Sequence, residues 1–174
     1  HDRVTALKCF AALWVVPGVS SAERNRTVAV AGWWQPTGAG PDGWHWERVE
    51  LAQALQWSTG HGVTIAVVDS GVDADHPDLR GLVLPGLHAL KPGEPTIDER
   101  GHGTAVAGVA VAAFAREVQR TQVHSRARVL PIKVTQGDQP VTLGQIARGI
   151  QLAAEAGAQV VNASYEGLTE SPTI

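Results

Sequence analysis

Val63-Thr64-Ile65-Ala66-Val67-Val68-Asp69-Ser70-Gly71 is an almost unbroken apolar, largely β-branched run that stops on a carboxylate and a glycine. Runs of this kind are strands buried on both faces of a parallel sheet. Two more stretches read the same way. One is Val129-Leu-Pro-Ile-Lys-Val134, where Pro131 predicts an edge position or a bulge; the other is Ala158-Gln-Val-Val-Asn162. Leu82-Val-Leu84 is a weaker strand candidate. Helical spacing fills the intervals. A first helix starts around Glu47, with Val49, Ala52, Leu55 and Gln56 on its buried face, and ends at Gly60 and Gly62. A second runs from His102 to about Arg120, where Ala105, Ala107, Gly108, Ala110, Ala112 and Ala113 predict close packing on a neighbour. The third opens on a capping box of Thr142 and Gln145, buries Ile146, Ile150 and Ala154, and closes at Gly157. Strands alternating with helices predict an α/β fold of three layers around a mostly parallel sheet.

Composition narrows the classes. The 174 residues are 44% hydrophobic and 18% charged, with a formal charge of −3, which suits a single globular domain. There is no basic cluster, so a nucleic-acid partner is excluded. One cysteine, Cys9, rules out an intramolecular disulfide, and no Cys/His spacing suits zinc. Methionine is absent even from position 1, which points to a sequence that does not begin at an initiator. Arg3 and Lys8 precede the apolar run Cys9–Val19, and Ser20, Ser21 and Ala22 follow it. This is the three-part pattern of an export signal over residues 1–22, giving a secreted or cell-surface product. The run is well short of the ~20 residues that cross a bilayer, so no stable membrane span is expected. Residues 23–46 interleave Trp33, Trp34, Trp44 and Trp46 with glycines and prolines and read as an irregular arm or short pro-segment. Residues 47–174 form the domain proper.

Chemistry concentrates at two positions. Asp69 follows the apolar run, so its carboxylate is desolvated and needs a partner. His102 is flanked by Gly101 and Gly103, which let backbone approach closely. Enzymes of this class mount their chemistry beyond the carboxyl ends of strands. A carboxylate that orients an imidazole supplies two members of a nucleophilic triad. A competing reading gathers Asp69, Asp73, Asp75, His76, Asp78 and His102 around a hydrolytic metal. His76-Pro77-Asp78 is more simply a turn, and no metal and no cofactor are expected.

Together these blocks resemble the subtilisin-like serine peptidases. The resemblance is carried by Val63 to Leu79 and by Asp98-Glu-Arg-Gly-His-Gly-Thr-Ala-Val-Ala-Gly108. Ala127 to Val134 and Gly157 to Ser164 add to it, and it extends from about Glu47 to Ser164. It implies a triad with Asp69 as the carboxylate and His102 as the general base. In the family, the segment after the third strand pairs its backbone with substrate as an added strand. That makes Ser164, Tyr165 and Glu166 candidate substrate-binding residues, with Tyr165 and Glu166 standing where the family has leucine and glycine. Val118 to Arg128 lacks the family's usual glycine and Ala-Pro. Asp78 resembles a calcium ligand of some relatives, but no asparagine-rich loop accompanies it and calcium is not expected. The family's nucleophile comes later, in a Gly-Thr-Ser motif after an oxyanion asparagine. Neither occurs in residues 1–174, and Ser70, Ser125 and Ser164 lack the glycine setting of a nucleophile. The expectation is therefore the amino-terminal portion of a serine endopeptidase domain, incomplete on its C-terminal side and inactive alone. Its partners would be the missing C-terminal half of the same domain and a protein or peptide substrate. The alternative is a non-catalytic remnant or peptide-binding module.

Overall fold

The computed structural model describes residues 27–30, 50–112 and 126–166. The export signal over 1–22, the tryptophan-rich residues 31–46 and the far part of the second helix lie outside these.

Four parallel strands make the main sheet. They are β2 (Thr64–Asp69), β3 (Leu87–His88), β4 (Arg128–Lys133) and β6 (Val160–Asn162), in the order β3-β4-β2-β6. Val67 stands opposite Pro131 on one side and Asn162 on the other, and Asp69 stands opposite Lys133. Side chains alternate faces along a strand, and this builds the layers. Ala66, Val68, Leu130, Ile132 and Val134 form one core with Ile146 and Ala153 of the helix α3 (Leu143–Glu155). Val67 and Val129 face the other way, against Ala107 of α2 (His102–Ala107) and Val111 of the π-helical turn Gly108–Ala112 that continues it. Sheet between helices is the three-layer α/β arrangement expected.

Differences in detail have local causes. The helix α1 (Leu51–Trp57) begins after Glu50, whose φ of 50° is not helical, so it starts later than Glu47. It buries Leu55 but leaves Gln56 exposed. In α3 the capping box of Thr142 and Gln145 forms as expected. The buried stripe, however, runs Leu143, Ile146, Gly149, Ala153, and Ala154 is exposed. Gly149 is where the helix comes closest to the sheet: an added Cβ would lie 2.6 Å from Val134 Cγ1 and 2.7 Å from Val68 Cγ1.

Pro131 predicts an edge position or a bulge, yet β4 is flanked on both sides. Val129 N donates to Leu82 O at 2.9 Å, on the side away from β2. Backbone groups alternate sides along the strand, so the donor that Pro131 lacks faces that same side. There the adjoining chain breaks at Pro85 and Gly86, between the single bridge Val83↔Val129 and β3. Pro131 thus removes no ladder bond. The Leu82–Leu84 candidate reduces to that bridge.

A second sheet has the order β5-β1-β7, with β1 (Thr27–Val30) paired antiparallel to β5 (Val141–Thr142) and to β7 (Tyr165–Glu166). Residues 23–46 are therefore not irregular throughout.

Candidate active site

Asp69 is the last residue of β2 and shares the strand face of Val67, which turns it toward α2. His102 is the first residue of that helix. Its Nδ1 lies 2.9 Å from Asp69 Oδ1 and 3.0 Å from Oδ2. The Asp69 side chain is fully buried and that of His102 is 12% exposed, so this pair is held out of bulk water with one rim reachable.

Two connections parallel to that bond fix its length. An α-helix leaves its first N–H groups without intrahelical acceptors. Here Gly103 N donates to Ser70 Oγ at 3.0 Å, and Thr104 N donates to Asp98 Oδ2 at 2.8 Å. Ser70 Oγ in turn donates to Asp98 Oδ1 at 2.7 Å. The residue after Asp69 is thereby tied to the turn that carries His102. Ser70 N also donates to Asp69 Oδ1 at 2.7 Å, aiming the carboxylate. Glycine at 103 is required, because a Cβ there would collide with the Gly71 carbonyl oxygen. The close approach expected from the alanines thus occurs at Gly103 and buried Ala107, while Ala105 is exposed. Burial pushes the Asp98 carboxyl up, but hydrogen bonds from Thr104 Oγ1, Ser70 Oγ, Thr104 N and Arg100 N outweigh it. The net result lies below the ordinary carboxylate range.

Asp98, Ser70 and Thr104 were not picked out as site residues. The available signal was spacing, an aspartate and a threonine bracketing Gly101-His102-Gly103 at the start of a helix.

Charge also collects at the neighbouring strand ends. Lys133, 3% exposed and in register with Asp69, donates to Ile97 O at 2.5 Å and pairs with Glu99 at 3.2 Å. His88 stands opposite Lys133, and its Nδ1 accepts from Leu90 N at 3.3 Å. Burial, then the Lys133 charge, hold His88 below the usual imidazole value. Arg100 donates to the Gly137 and Gln139 carbonyls at 2.7 and 2.8 Å, fastening the His102 turn to the loop after β4.

Of the substrate-binding candidates, Ser164 donates to Asn162 Oδ1 at 2.7 Å, and Tyr165 and Glu166 form β7. The Tyr165 side chain packs against the core beside Ala66 and Val68. Its hydroxyl is buried with no hydrogen-bond partner among the described residues. Burial, followed by the nearby Asp69 charge, drives its ionisation far upward. Asp73, Asp75 and Asp78 are exposed in the loop after β2, and His76 O accepts from Leu79 N at 2.9 Å in the turn foreseen there. Among the described residues no group of three or more His, Cys, Asp or Glu side chains is arranged around an ion position.

Comparisons with known proteins bear on the family and the fold. Residues 60–171 match the model of the Subtilase family. Thermitase of Thermoactinomyces vulgaris is 32% identical over 121 residues, covering 70% of this chain and 43% of that protein. The cell wall-associated protease of Bacillus subtilis (strain 168) is 38% identical over 59% of this chain and 12% of its own length. The crystal structure of fervidolysin from Fervidobacterium pennivorans, a keratinolytic enzyme related to subtilisin, superposes with a TM-score of 0.59 at 31% identity, covering 75% of this chain and 21% of that one. The chain spans less than half the length of each.

Proposed function

The chain belongs to the subtilase family, and from that premise we propose that it supplies the acid and the base of a serine endopeptidase. The observation that carries this reading is the bond from His102 Nδ1 to the buried Asp69 carboxylate at 2.9 and 3.0 Å. The nucleophilic serine and the oxyanion asparagine belong to sequence that residues 1–174 do not contain.

In the complete domain, His102 Nε2 takes the proton of the serine hydroxyl as its oxygen bonds to the peptide carbonyl carbon. Asp69 holds the imidazole in the tautomer with hydrogen on Nδ1 and stabilises the imidazolium as it forms. His102 then returns the proton to the departing amine nitrogen while the C–N bond breaks. A water molecule, deprotonated by His102, releases the acyl group and restores the serine hydroxyl. Ser164, Tyr165 and Glu166 would hold the substrate by main-chain pairing. The 174-residue chain alone, lacking a nucleophile, is inactive on this reading. Residues 1–22 would direct the product out of the cell; among the described residues no helix is long and apolar enough to cross a membrane.

A serine-directed covalent probe on the product of the complete reading frame tests this. Labelling lost in His102→Ala is the expected result. A reading frame with no Gly-Thr-Ser downstream, or probe-sensitive turnover by the purified 174 residues, would overturn it. The pairing of β7 with another strand favours one second reading, a module that binds extended peptides without cleaving them.

A further inference from the structure

The nearly buried ammonium of Lys133 takes no part in the proton transfers at His102. Asp69, Lys133 and His88 lie in one register row across β2, β4 and β3. Side chains alternate faces along a strand, so Lys133 shares the face of Val129, the one that Asp69 and Val67 present to α2. Leu130, Ile132 and Val134 point into the other core. A charge only 3% exposed needs partners, since an uncompensated buried ion is costly. Lys133 finds them just ahead of His102: it donates to Ile97 O at 2.5 Å and pairs with Glu99 Oε2 at 3.2 Å.

That short segment carries the groups that hold the His102 turn. Asp98, between the two residues that Lys133 grips, accepts from Ser70 Oγ at 2.7 Å and from Gly101 N and Thr104 N at 2.8 Å each. The same segment is tied to the loop after β4. Glu99 Oε2 accepts from Gly137 N at 3.2 Å, and Arg100 donates to the Gly137 and Gln139 carbonyls. Residues 97–100 are therefore clamped by β4 and its loop. Asp98 passes that hold to Ser70 beside Asp69 and to Thr104 beyond His102. We propose that Lys133 is a positioning residue for Asp69 and His102, setting the distance between carboxylate and imidazole through Ile97, Asp98 and Glu99. The proposal rests on the reading of these two residues as acid and base, but the clamp itself needs no nucleophile.

A lysine that merely closes the end of the sheet would, when replaced, loosen the whole domain alike. A positioning lysine loosens one bond ahead of the rest. Small displacements matter here, because misplacing a reacting group by about 1 Å can cost about 10²-fold in rate.

The test uses the product of the complete reading frame and two variants. Lys133→Met keeps an apolar stem and removes the charge; Glu99→Ala changes an exposed position and serves should Lys133→Met fail to fold. By NMR, exchange of the His102 Nδ1 proton with water should quicken at least about tenfold in K133M and about threefold in E99A. The amides of Val67 and Ile132, in the centre of the sheet, should change by smaller factors. On a peptide substrate, kcat should fall about tenfold in K133M with KM little changed. The double variant should be no worse than K133M, because both changes break one clamp. Equal quickening at Nδ1 and at the core amides, an unchanged Nδ1 proton, a loss in KM with kcat intact, or additive effects in the double variant overturns the proposal. A parent without probe labelling or turnover, but with the Nδ1 response retained, removes the acyl-transfer reading and leaves the clamp standing. Labelling in the parent with an unresponsive Nδ1 proton removes the clamp alone.

Discussion

Asp69 does two jobs with one carboxylate, accepting from Ser70 N at 2.7 Å and facing His102 Nδ1 with both oxygens. Asp69→Asn keeps the shape but donates where it should accept, favouring the wrong imidazole tautomer. On the proposed reading, kcat of the complete domain should fall about 10⁴-fold with KM little changed, as steady-state kinetics on a peptide substrate would show. Asp98 acts at one remove. It gathers Ser70 Oγ and the Gly101 and Thr104 N–H groups, so Asp98→Asn weakens several charge-assisted hydrogen bonds at once. A loss of about 1.5–3 kcal/mol in denaturant unfolding is expected. Because its carboxyl lies below the ordinary range when folded, its contribution is full above the ordinary carboxylate pKa and disappears on strong acidification. Tyr165 predicts the opposite sign. Its hydroxyl is buried without a partner among the described residues, so Tyr165→Phe should raise stability by about 1 kcal/mol, a gain of a few degrees in Tm by calorimetry. Asp69 and His102 were legible because each interrupts an apolar or glycine-rich context that has no structural use for a charge. Asp98 was not, because an aspartate before a helix looks like an ordinary cap until its second partner, Ser70, arrives from 28 residues away.

At the scale of elements, continuous apolar runs and a capping box were sufficient for β2, β4 and α3, whose identities depend on local sequence. β3 and β5 are two residues each and carry no periodicity to read. β1 sits in a segment crowded with glycine, proline and tryptophan, and its partners lie more than a hundred residues downstream; pairing at that range leaves no trace in a local pattern. Pro131 misled because the rule about edges concerns the side its nitrogen faces, and that depends on where the adjoining strand is broken. The fit of α3 on the sheet is similarly a matter of one atom. Gly149→Ala places a methyl group 2.6 Å from Val134 Cγ1 and 2.7 Å from Val68 Cγ1. Helix propensity favours alanine there by about 1 kcal/mol, but overpacking costs about 1–3 kcal/mol. The expected outcome is net destabilisation in urea unfolding, with the midpoint lowered and the slope unchanged. A midpoint raised by the substitution would show that the helix can draw back from the sheet at no cost.

On the scale of the whole molecule, the carboxyl ends of β2, β3 and β4 bring Asp69, His88 and Lys133 together, and loops add Glu99, Glu94 and Lys91. A domain with so few charges spends several of them at one end of one sheet, and its response to acid follows from that. His88 is 6% exposed. Burial and Lys133 lower its pKa, and the carboxylates of Glu94 and Glu99 oppose the shift without cancelling it. The folded protein therefore resists protonating a group that the unfolded chain protonates below its ordinary value of 6.5. Unfolding takes up protons, so stability is complete above pH 6.5 and is lost as the pH falls through the lowered folded value. Asp98 extends the same trend to lower pH, since it too titrates below its ordinary range in the fold. Calorimetry should show Tm falling between pH 7.5 and pH 5, and His88→Gln should flatten that slope. Asp98→Asn should leave it unaltered in this window, because the ordinary carboxylate range lies lower. A parent protein with a level Tm across the window, or a His88→Gln variant as acid-sensitive as the parent, would place the burden of acid lability elsewhere than the sheet end that holds Asp69 and His102.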